Sequence, residues 1–87
     1  MTKRQQFIKV LVRRIKLKTY REYSFQERMA MTRGDFYARY NCDLLNDMSE
    51  CDEIFKTDLY DYYLNITDKQ WKRAVLEARR TAWKELY

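Results

Sequence analysis

Residues 7–25 read FIKVLVRRIKLKTYREYSF, and they decide the fold because they fit two periodicities at once. Phe7, Ile8, Leu11 and Ile15 recur at helical spacing with Val12 beside them, while Lys9, Arg13 and Lys16 align at i, i+4 and i+7 on the opposite face. Just upstream, Thr2 and Gln5 have the spacing of a capping box, in which the hydroxyl takes a backbone N–H and the amide reaches back. From Ile15 onward a period of two fits as well. Ile15, Leu17, Thr19, Arg21, Tyr23 and Phe25 alternate with Lys16, Lys18, Tyr20, Glu22 and Ser24, which suits an edge strand. The pattern favours a helix to about residue 18 and then an extended connector. A β-strand or hairpin within residues 7–25 is the alternative.

Outward from this stretch the helix signals continue. Ser24 and Glu27 form a second capping-box pair, opening a short helix that Gly34 closes. Asp35 is placed to cap the next helix, with Phe36, Tyr37, Tyr40, Leu44 and Met48 as its apolar side. Ser49 opens another, whose stripe is Cys51, Ile54, Phe55, Leu59, Tyr62 and Tyr63. Thr67 with Gln70 is a third capping-box pair, so a last helix is expected from about Asp68 almost to Tyr87. At 100° per residue Trp71, Ala74, Val75, Ala78, Ala82 and Leu86 share one of its faces. The chain has no Pro and one Gly among 87 residues, so helix breakers and tight-turn residues are scarce. The expected fold is therefore mainly α, a single small domain over residues 1–87 with four to five short helices.

Charge divides the same chain into three. Residues 1–40 carry 11 basic and 3 acidic side chains, residues 41–68 carry 1 and 8, and residues 69–87 carry 6 and 2. The net +5 is thus the remainder of opposed blocks. The absence of His removes Ser–His and Cys–His pairs and histidine metal ligands, and a single Gly leaves no Gly-rich phosphate loop. Two Cys nine positions apart, Cys42 and Cys51, make neither a zinc knuckle nor a disulfide framework. No apolar run approaches the roughly 20 residues of a membrane span. These features point to a cytoplasmic protein with reduced thiols, no membrane contact, no metal, no cofactor and no enzymatic activity.

What remains is a binding surface. Lys9, Arg13 and Lys16 on the first helix, and Lys69, Arg73, Arg80 and Lys84 on the last, are spaced cations of the kind that meet phosphates. Trp83, beside Arg79, Arg80 and Lys72, is a candidate stacking platform for a base. The acidic middle offers a different use. Asp47, Glu50, Glu53, Asp58 and Asp61, with Tyr60 among them, can pair with a basic protein partner, and the opposed charged faces can drive homo-oligomerisation. The plainer alternative is that the acidic segment neutralises the basic faces within one molecule.

The run Thr32-Arg33-Gly34-Asp35-Phe36-Tyr37-Ala38-Arg39-Tyr40 resembles the turn and recognition helix of tetracycline-repressor-type helix-turn-helix domains. The resemblance covers about nine to sixteen residues. It implies that the residues opening the helix cap it and touch phosphate and that the Tyr contacts the DNA backbone; separately, their place near a helix start puts Arg33 and Arg39 where phosphates can be met. The family's lysine-bearing link is missing between Tyr40 and Leu44. In style, a short, Tyr-rich, highly charged chain without Pro or His also looks like the small early proteins of tailed bacteriophages. That likeness implies host takeover or anti-defence. The expected function is a nucleic-acid-binding regulator or inhibitor, acting on RNA, DNA or a host ribonucleoprotein. The alternative is a protein-binding inhibitor of anti-CRISPR-like character, directed at a host or defence-system protein through residues 41–68.

Overall fold

Thr2 sets the start of the first helix. Its hydroxyl accepts the Gln5 N–H at 3.1 Å, and the Gln5 side-chain oxygen accepts the Thr2 N–H at 2.9 Å. This capping box opens α1, Lys3–Glu22, in a computed structural model that describes residues 1–45 and 51–87. The helix runs on past its expected end near residue 18, and neither strand nor hairpin forms within residues 7–25. The reason is burial at a spacing of four. Phe7, Leu11, Ile15 and Thr19 are all 0% exposed. A strand would have put Leu17 and Arg21 on the same face as Ile15 and Thr19. Leu17, 58% exposed, is what the helical register leaves outside.

Ser24 and Glu27 close the second capping box and open α2, Phe25–Ala30, which buries none of its side chains. Gly34 does not end this helix. It lies in the first turn of α3, Arg33–Arg39, at a negative φ. Nor is Asp35 the cap: Thr32 is, and Asp35 is its partner, with the Thr32 hydroxyl accepting the Asp35 N–H at 3.1 Å. The helix also stops earlier than its apolar pattern implies. Leu45 is buried within a turn and Leu44 is exposed, while Met48 and Ser49 lie outside the described residues.

The helix expected across Cys51–Tyr63 is two, α4 (Asp52–Phe55) and α5 (Leu59–Asn65). Thr57 makes the break. Its hydroxyl donates to the carbonyls of Glu53 and Ile54 at 2.8 and 3.1 Å and accepts the Leu59 N–H at 3.3 Å. A side chain that satisfies the backbone on both sides competes with helix continuation. Finally α6 spans Asp68–Leu86, as its cap and stripe predict. The described residues hold six helices and no strand, more than the four to five expected, and α1 and α6 are long.

These two long helices run in the same direction. Arg4 meets Glu77 at 2.7 Å, Lys16 meets Glu85 at 3.5 Å, and Phe7 lies 6.0 Å from Trp71. Parallel neighbours need a long crossover, and residues 23–67 supply it. Ala74, Ala78 and Ala82 present small side chains to the core, and all three are buried. Phe7 also contacts Tyr62 and Tyr63 of α5 at 5.3 and 6.2 Å, so one ring joins three helices. A second aromatic cluster centres on Phe36, 4.9 Å from Tyr40 and 5.4 Å from Trp83.

Thr19 and Tyr40 tie the crossover to α1. The Thr19 hydroxyl donates to the Ile15 carbonyl at 2.8 Å, so the Tyr40 hydroxyl, also at 2.8 Å, is the donor to Thr19. Burial lifts the Tyr40 phenol above its ordinary pKa. The two partners are unequal. Tyr40→Phe leaves Thr19 bonded to Ile15 and is expected to cost about 1 kcal/mol. Thr19→Val strands a buried phenol and is expected to cost more, about 1–3 kcal/mol. Urea denaturation of both variants checks the order; a larger cost for Tyr40→Phe would refute this direction of donation.

Candidate nucleic-acid interface

The site is built on α6. Thr67 caps it by accepting the Gln70 N–H at 3.1 Å, and the Gln70 side chain returns to the Thr67 N–H at 2.8 Å. With the start fixed, the register follows. Trp71, Ala74, Val75, Ala78 and Ala82 turn inward, and Lys69, Lys72, Arg73, Arg80 and Lys84 are exposed. From Lys69 to Lys84 this basic row is about 22 Å long at the helical rise of 1.5 Å per residue.

Two acidic residues later in the same helix point elsewhere. Glu77 pairs with Arg4 and Glu85 with Lys16, both on α1. None of the five outward cations has an ion-pair partner among the described residues. Past the first turn, packing thus separates the signs: Glu77 and Glu85 are used at the helix–helix contact and the cations are left to solvent, while Asp68 stays exposed where the helix begins. Lys72, read from sequence as a neighbour of Trp83 with Arg79 and not as part of the stripe, is exposed with the row. Arg79 is not. It is half-buried, donates from Nη1 to the Tyr37 carbonyl at 2.8 Å, and lies 4.8 Å over the Tyr37 ring. It fastens α3 to α6.

The basic stripe of α1 fares differently. Lys9 is exposed and has no ion pair among the described residues, but Arg13 is paired with Glu53 and Lys16 with Glu85. At the end of α1, Glu22 takes Arg39, and that hydrogen bond holds the Arg39 guanidinium above its ordinary pKa. Arg33 stands exposed in the first turn of α3 without an ion pair among the described residues. In the helix-turn-helix-like run, Phe36 and Tyr40 are buried and Tyr37 lies under Arg79. Trp83 is half-buried and stacks on Tyr87 at 4.1 Å, with Phe36 on the core side.

Much of the acidic segment is used internally. Glu53 and Asp58 pair with Arg13 and Lys3 of α1, and Asp52 faces Lys56 at 3.5 Å. Tyr60 is half-buried, 5.1 Å from the Phe55 ring. Asp61 is exposed with no ion pair among the described residues. Asp47 and Glu50 lie outside the described residues. The described residues contain no group of three or more candidate metal ligands and no helix long and apolar enough to cross a membrane. Cys51 is buried and Cys42 half-buried, both as free thiols. In comparisons with known proteins, no family model, no curated protein and no solved structure matches the chain.

Proposed function

We propose that this chain is a non-enzymatic nucleic-acid-binding protein that docks RNA or DNA along the outer face of α6. The supporting observation is the row Lys69, Lys72, Arg73, Arg80 and Lys84, exposed and without ion pairs among the described residues. Each such cation can meet a phosphate and release a condensed counterion, which is the main source of sequence-independent affinity. Phosphates would compete poorly for Arg13 and Lys16, whose charges are already engaged. The phage-like style of the sequence makes a host nucleic-acid or ribonucleoprotein machine in the cytoplasm the target we favour, with the chain as regulator or inhibitor. A protein-binding inhibitor acting through residues 41–68 is less supported, because Glu53 and Asp58 are held by α1.

Salt dependence tests the reading. Five phosphate contacts give a slope of log affinity against log salt of about −3.5 for single strands and −4.5 for duplex. Affinity should then fall about 100- to 500-fold between 50 and 200 mM salt. A shift assay across that range measures it. No binding at about 50 mM would sink the proposal, and a slope shallower than about −1 would remove the phosphate row from it.

A further inference from the structure

Beyond the last cation of the basic row, the end of α6 shares a cleft with the end of α1 and with α2. Tyr20, Phe25, Arg28, Met29, Leu86 and Tyr87 line a cleft of about 300 Å³ there. Its walls are uncommon for a surface in water. Tyr20 is 57% exposed, Phe25 67% and Tyr87 43%. Arg28 is the one charged side chain in the lining, and its guanidinium carbon lies over Tyr20, 4.8 Å from the ring centre, and 6.0 Å from that of Phe25. Behind Tyr87, the Trp83 ring stacks at 4.1 Å. At 100° per residue Lys69, Leu76, Arg80 and Tyr87 fall within about 20° of one line along α6. The phosphate row therefore leads to the aromatic cleft.

We infer that the cleft takes an unstacked nucleobase from a single-stranded nucleic acid whose backbone follows the α6 row, an inference that rests on the proposed function. Three aromatic rings and a guanidinium plane offer flat surfaces on which any base can stack. The charge fits this occupant: no side-chain carboxylate lines the cleft, one cation does, and five cations without ion pairs among the described residues approach it. A duplex keeps its bases stacked and can use only the row. A single strand can use both, so it is the preferred ligand.

The experiment compares four ligands of about 12 nucleotides by fluorescence anisotropy at fixed salt: oligothymidine, oligouridine, an abasic deoxyribose-phosphate strand and a duplex. Base stacking predicts that oligothymidine or oligouridine binds about tenfold or more tighter than the abasic strand. Tyr20→Ala/Phe25→Ala should erase that advantage and leave duplex and abasic binding unchanged, and Tyr20→Trp should retain it. Equal binding of base-bearing and abasic strands, with the steep salt slope intact, overturns this inference alone. Failure of all four ligands to bind overturns the proposed function with it. Sedimentation of the wild type and the double variant completes the test. A dimer that the double variant abolishes would give the cleft to a second copy of this chain and overturn the inference.

Discussion

Phe7→Ala is expected to lower the unfolding free energy by about 3–5 kcal/mol. Phe7 is 0% exposed and contacts Tyr62 and Tyr63 on α5 and Trp71 on α6. Truncation removes the apolar surface of a full ring and leaves a void that three helices cannot collapse into together. A domain of this size has a total stability of about 4–13 kcal/mol, so the loss is a large part of the whole. Thermal unfolding followed by circular dichroism should show a midpoint lowered by at least about 12 °C. A loss under about 1.5 kcal/mol would mean that the α1–α5–α6 junction is not the centre of the core.

Charge reversal of the α6 row should act on binding and spare the fold. Arg73→Glu/Arg80→Glu removes two phosphate contacts and adds two repulsions on one face. The salt slope should drop in magnitude by about 2, and affinity near 50 mM salt should fall at least about 100-fold, out of the range of a shift assay. Both residues are exposed, without ion pairs among the described residues, so stability should change by no more than about 0.5 kcal/mol per site. The control is Lys9→Glu/Arg13→Glu on α1. Arg13 is already paired with Glu53, so this variant should lose much less binding. An equal loss from the two variants would move the interface off α6.

How far each feature could be read from sequence depends on how local its cause is. The capping boxes at Thr2, Ser24 and Thr67 were legible because donor and acceptor sit three residues apart. The one at Thr32 was not, since its third residue is Asp and Gly34 beside it looks like a helix stop. The buried face of α6 follows from one periodic stripe. Residues 15–25 carry two patterns, and the choice between them is made by burial against the rest of the fold: Ile15 and Thr19 are 0% exposed, and Thr19 is bonded to Tyr40, 21 positions further on. Opposed charge blocks were visible as blocks, yet which cations they leave free depends on tertiary pairing: Glu77 and Glu85 face α1, and Glu53 holds Arg13. The aromatic cleft had no sequence signal, because Tyr87 joins Tyr20 and Phe25 only through the parallel packing of α1 and α6.

That parallel packing also governs when the chain can fold during translation. α1 emerges from the ribosome before α6, yet the face it buries is covered mainly by α6, which begins after 45 intervening residues. At about 5–20 residues per second, the nascent chain carries an uncovered amphipathic helix for several seconds. Over that interval Arg4 and Lys16 have not yet met Glu77 and Glu85, so the emerging segment is more cationic than the finished protein. Shifting the order of synthesis, by circular permutation that places α6 directly ahead of α1, would remove the wait.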